Sequence, residues 1–153
     1  MMRKGKESAI DALNGLIQTC KDGQTGYETA VEGTDNDELR EVFNQYADQC
    51  REFADELKEQ VLELGGTPEE PGRSMAARAF HGWMNIKAAV TGRDDKAIIS
   101  ECERGEDVRK KSYEDALKKE LPTTVKLHIQ TQYEEVKAAH DRIRGMERLR
   151  KGS

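Results

Sequence analysis

Glu103 and Glu106 stand three residues apart, as do Lys137 and His140, and that spacing puts each pair on one face of a helix. Two carboxylates and an imidazole are the oxygen and nitrogen donors that iron, manganese or zinc accept, so Glu103, Glu106 and His140 form a candidate metal set. Lys137 argues the other way, because its ammonium would oppose a bound cation. In the alternative, Lys137 and His140 neutralise Glu103 and Glu106 in a closed, buried network of ion pairs and hydrogen bonds. A third outcome lets one or both glutamates reach solvent. Buried carboxylates are costly unless paired or metal-bound, so the choice depends on which helix faces meet.

Cys20, Cys50 and Cys102 are the other reactive side chains. An odd number of cysteines with no CxxC spacing fits neither a disulfide framework nor a zinc knuckle. Buried free thiols that pack in the core are the expectation. A redox pair of Cys20 and Cys50 is the alternative, weakened by the lack of a basic neighbour in their layer to lower a thiol pKa. His81 and His128 lack ligand partners at helical spacing and read as surface or interface residues.

The elements that position these groups are helices. Ile10, Leu13, Ile17, Cys20, Gln24, Tyr27 and Val31 recur every three or four residues, predicting a helix from Ser8 to Glu32 that Gly33 ends. Asp35 with Glu38 suggests a cap for a second helix, whose stripe runs through Leu39, Phe43, Tyr46, Cys50, Phe53, Leu57, Val61 and Leu64. Gly65-Gly66-Thr67-Pro68 stops it and opens a loop to Gly72. Ala76, Phe80, Trp83, Ile86 and Val90 mark a short helix ending near Gly92. A third long helix is predicted from Asp94 to Glu120, and a fourth from Thr123 to Leu149, with Pro122 suited to its first turn. Val125, Ile129, Gln132, Val136, Ile143 and Met146 form the last stripe.

Tight turns make antiparallel pairs of the first two long helices and of the last two, with the short helix in a crossover between them. Folding the first hairpin about Asp35 sets Cys20 opposite Cys50, Tyr27 against Phe43 and Leu13 against Leu57. Folding the second about Leu121 and Pro122 brings Glu103 near His140 and Glu106 near Lys137.

Composition agrees and narrows the function classes. The chain has 153 residues, 36% charged and 35% hydrophobic, with three prolines near apparent helix ends. That suits one all-α domain over residues 1–153. No apolar run reaches the ~20 residues of a membrane span, and Met1-Met2-Arg3-Lys4 does not open a signal peptide, so a cytoplasmic location is expected. A net charge of −5 disfavours nucleic acid. The basic run Arg142, Arg144, Arg148, Arg150 and Lys151 is read as complementing the last helix dipole. No phosphate-binding glycine loop or nucleophile elbow is present. The apolar stripe Phe80, Trp83, Met84 and Ile86 either caps the bundle or joins copies of the chain into a homo-oligomer.

Several local motifs carry a resemblance: Leu13-Asn14 with Asp22-Gly23 and Gly26-Tyr27; Leu64-Gly65-Gly66-Thr67-Pro68; Gly82-Trp83-Met84; Glu101 to Asp107; and Val136 to Ile143. With them the chain resembles the small bacterial four-helix-bundle proteins of unknown function in the ferritin-like superfamily. The resemblance implies an antiparallel four-helix bundle and a stress-associated setting. Ferritin-like di-iron bundles place one Glu on each of two helices and Glu-x-x-His on each of the other two. Counted onto this chain, those positions read Cys20, Cys50 with Phe53, Glu103, and Lys137 with His140. At most two ligands survive, unless Glu28 or Glu52 turns inward. The resulting expectation is a non-catalytic structural or interaction protein without a cofactor. The alternative is a metal-binding oxidoreductase or storage protein built on Glu103, Glu106 and His140, aided by Cys102 and Glu28.

Overall fold

The computed structural model describes residues 2–68 and 82–151. Within them lie α1 (Met2–Glu32), α2 (Asp37–Glu63), the short α3 (Ile86–Thr91), α4 (Asp95–Leu117) and α5 (Thr123–Lys151). The four long helices pack antiparallel as a bundle, and α3 lies in the connection between α2 and α4. Phe80, His81 and the predicted helical start at Ala76 fall outside the described residues.

The boundaries follow from local chemistry. Asn36, rather than Asp35, caps α2: its side chain accepts from the Leu39 N–H at 3.0 Å, and Thr34 Oγ1 accepts from the Asn36 N–H. Asp35 is left to pair with Arg93 at 2.6 Å, tying this turn to the one before α4. The α2 C-terminus closes in a Schellman turn, with Gly66 N–H bonded to Val61 O and Gly65 N–H to Leu62 O. Gly65 takes φ of +82°, where a side chain would be strained. Asn14 Nδ2 then donates to Thr67 O at 3.0 Å, holding the loop against α1. Asp94 caps α4 through the Lys96 N–H.

The core is a continuous set of buried side chains from the helices of both hairpins, including Leu13, Leu16, Ile17, Phe43, Leu57, Ile98, Ile99, Ile129 and Ile143. In the first hairpin Tyr27 meets Phe43 with ring centroids 6.2 Å apart, the pairing the stripes predict. The second hairpin runs a turn out of the predicted register. Tyr113 meets Gln132, Glu114 meets Tyr133, and Asp107 faces His140. These contacts centre the hairpin about one to two residues C-terminal to the predicted fold point between Leu121 and Pro122.

The connection locks the two hairpins together. Trp83 packs edge-on against Tyr27, with centroids 5.0 Å apart. Its indole lies so close to Gly26 on α1 and Gly105 on α4 that a Cβ on either would come within 2.2 Å of it. Ile86 is buried, and the Asn85 N–H donates to Glu101 on α4 at 3.2 Å. Of the described members of the supposed oligomerisation stripe, Trp83 and Ile86 therefore serve the bundle itself. Met84 remains 55% exposed. Among the described residues, no helix is long and apolar enough to cross a membrane.

Candidate functional site: an arginine at the centre of the bundle

The inward face of α4 carries Ile99, Cys102, Glu106, Arg109, Tyr113 and Ala116, spaced by three and four residues. Two members of this core stripe are charged. Glu106 and Arg109 are each only 1% exposed, and their separation of three residues lets the side chains meet on one face. Arg109 Nη2 lies 3.0 Å from both Glu106 oxygens, and Nε donates to Oε2 at 3.2 Å. This is the fork geometry in which guanidinium and carboxylate bind most strongly.

Both groups make further hydrogen bonds. Arg109 Nη1 donates to Cys50 Sγ at 3.2 Å and Nη2 to Gln49 Oε1 at 2.8 Å, both on α2. From α1, Tyr27 donates its hydroxyl to Glu106 Oε1 at 2.5 Å. A second layer lies beside the first: Cys20 Sγ is 3.4 Å from Tyr113 OH, Tyr113 donates to Gln132 Oε1 at 2.6 Å, and Gln132 Nε2 donates to Glu56 Oε1 at 2.9 Å. Thus α1, α2, α4 and α5 are joined through polar atoms in the interior. Among the described residues, no buried side-chain nitrogen or oxygen lacks a partner, the condition under which a buried polar network rigidifies a core.

The network is electrically closed. Guanidinium stays cationic in proteins, and Glu106 supplies the opposing charge in hydrogen-bond contact. Burial pushes the Cys20 and Cys50 thiols up; the Arg109 charge opposes this without overcoming it. Burial also raises Cys102, with Glu106 and Glu101 adding to the effect. Tyr27 and Tyr113 rise for the same first cause, desolvation. All three thiols are thus protonated and poorly nucleophilic near neutrality. The basic neighbour that the sequence did not reveal is Arg109, yet its effect is structural rather than activating.

The four residues expected to cluster are distributed among different environments. Glu106 enters the arginine centre. His140 is buried, but at the α4–α5 seam, where Nε2 contacts Asp107 at 2.5 Å and Nδ1 contacts Asp141 at 3.2 Å. Glu103 is half-buried and shares a hydrogen bond with Glu147, which together with burial and carboxylate repulsion pushes its pKa up to about 7. Lys137 is exposed. The register shift explains this: Asp107 occupies the place opposite His140 that was assigned to Glu103. Glu28, Glu52 and His128 are also exposed. Arg142, assigned to the helix dipole, instead reaches α2, with its guanidinium 5.9 Å from the Tyr46 ring centroid and a hydrogen bond to Gln45.

A metal centre of the kind the resemblance would need does not fit these residues. Between Cys50, Glu106 and Tyr27 the available cation is the Arg109 guanidinium, and the neighbouring thiols are held protonated. Among the described residues, no group of three or more His, Cys, Asp or Glu side chains is arranged to hold a metal ion. Arg109 is neither a metal ligand nor a nucleophile, so residue type alone does not mark it. The signal was the stripe itself, since Arg109 falls on the core phase between Glu106 and Tyr113.

Fold and centre together define an all-helical bundle whose interior charge is neutralised by its own side chains. The chain belongs to the family described as a domain of unknown function, DUF2383, whose model matches residues 8–119. That match takes in Cys20, Tyr27, Gln49, Cys50, Glu106, Arg109 and Tyr113, and stops before α5. No curated protein matches the chain.

Proposed function

We propose that the protein is a single-domain, ferritin-like bundle in which Arg109 takes the place of a central metal, and that it works as a non-catalytic structural or interaction protein. The observation that carries this reading is the engagement of Arg109 by Glu106, Cys50 and Gln49 in a closed interior. The thiols and phenols around it are held protonated, and the one carboxylate, Glu106, is committed to Arg109 and Tyr27. The stress-associated setting is what the resemblance implies; a cytoplasmic location and self-association are proposed with it from the sequence alone. The competing metal-dependent reading needs Glu103, Glu106 and His140 in one site, whereas Glu106 faces α1 and α2 and His140 sits on the α5 seam.

Metal analysis of protein purified without chelator tests the proposal. The expected result is iron, manganese and zinc far below one equivalent per chain, with melting unchanged by chelator. Stoichiometric metal that is lost in His140→Ala would sink it.

A further inference from the structure

At the end of the bundle opposite the α1–α2 turn, a cavity of about 740 Å³ opens between the start of α1, the end of α2 and the α4–α5 turn. Its volume is typical of small-molecule sites. Leu64, Leu121 and Pro122 give it an apolar wall. Among the described residues, Lys6, Lys118, Lys119 and Lys126 stand around them, with Glu120 as the single lining carboxylate. Four lysines to one glutamate is a local excess of cations in a chain whose net charge is −5.

Two of these lysines are well placed by helix electrostatics and two are not. Lys118 and Lys119 follow the C-terminus of α4, where cations complement the helix dipole. Lys126 lies in the first turn of α5 and Lys6 just beyond that of α1, near ends that carry partial positive charge. Neither helix has an acidic residue in its first turn. Among the described residues, none of the four lysines is in an ion pair, although Lys110 and Lys111 on the same α4 are paired with Glu114 and Asp115. Positive ends and lysines gathered around an apolar cavity are complementary to an anion with an apolar body.

We propose that this cavity binds a single-chain anionic amphiphile, a long-chain fatty acid, with its carboxylate among the lysines and its chain against Leu64, Leu121 and Pro122. Among the described residues, the lining has no aromatic ring on which a nucleobase could stack, which favours an alkyl chain over a nucleotide. Long lysine stems can cover the chain while their ammonium groups reach the carboxylate. The site lies away from Arg109 and is independent of the reading of the bundle centre.

The test is calorimetric titration of the full chain with dodecanoate below its micelle concentration, with dodecanol as the uncharged control. Dodecanoate is expected to saturate at one molecule per chain and to bind at least about ten-fold more tightly than dodecanol. Lys119→Glu with Lys126→Glu, and separately Leu121→Asp, should each weaken dodecanoate by about ten-fold or more. Lys126→Glu places an acid at the α5 N-terminus, where it favours the helix, whereas Lys119→Glu opposes the α4 dipole, so helical circular dichroism and melting of each variant are read alongside binding to separate lost binding from unfolding. Absence of saturable binding, equal affinity for dodecanol, or unchanged affinity in both variants would overturn the proposal. So would phosphatidylglycerol vesicles that capture the protein while free dodecanoate does not bind, because the ligand would then be a membrane surface.

Discussion

Glu106 and Asp107 are neighbours in sequence and opposites in environment. Glu106 turns into the space between α1, α2 and α4, meets a guanidinium that is equally buried, and accepts from Tyr27 as well. Asp107 turns toward α5, where its side chain stays 58% exposed and its partner His140 alone is buried. One residue of helical rotation separates a closed ion pair from a solvent-touched hydrogen bond. The difference shows what sets the worth of a charge pair: the fate of the remaining partner once the first is removed. In the centre that partner is stranded without water, whereas at the seam it is rehydrated.

Arg109→Ala should show the largest effect, a loss of about 3–5 kcal/mol in chemical denaturation, because Glu106 would remain buried without its counter-charge. Removing both charges with Arg109→Met and Glu106→Gln should recover much of that loss. If the double variant is no better than the single one, packing rather than charge dominates the centre. At the seam, His140→Ala should cost only about 1–2 kcal/mol, mostly lost packing, since exposed Asp107 returns to water. An equal cost at both sites would erase the contrast.

The smallest effect concerns Glu103, also on the α5 side of α4. Its folded pKa is raised to about 7, so the native state holds its proton more tightly than the unfolded chain does. The resulting stabilisation is fully present below the ordinary carboxylate pKa and is lost as pH rises through about 7, when Glu103 and Glu147 repel. Between about pH 5 and pH 8, this pair should lower Tm by about 1–2 °C, given its solvent screening. Glu103→Gln should remove that contribution, which a pH series of thermal melts of both proteins will read.

The first hairpin was legible because its stripes are apolar and continuous: aligning Tyr27 with Phe43 also aligns the surrounding core. The second was less so. Glu106 and Arg109 lie within the inward stripe of α4 and Gln132 within that of α5, so apolar periodicity gives a weaker guide to the faces. Without that guide, register rested on a turn taken as symmetric about Leu121 and Pro122, from which the Tyr113–Gln132 and Asp107–His140 contacts depart. The Trp83 contact was legible only as a motif. Its meaning depends on two glycines, Gly26 and Gly105, that are distant in the chain and leave room for an indole only once α1 and α4 are side by side.

Trp83 is also the only tryptophan in the chain, which gives the molecule a built-in optical reporter. Its indole sits on the ring of Tyr27, whose hydroxyl holds Glu106. Loosening the arginine centre or unseating the crossover therefore changes the surroundings of the same fluorophore. A red-shifted emission in Arg109→Ala, before helical circular dichroism is lost, would separate local opening of the centre from global unfolding without any attached label.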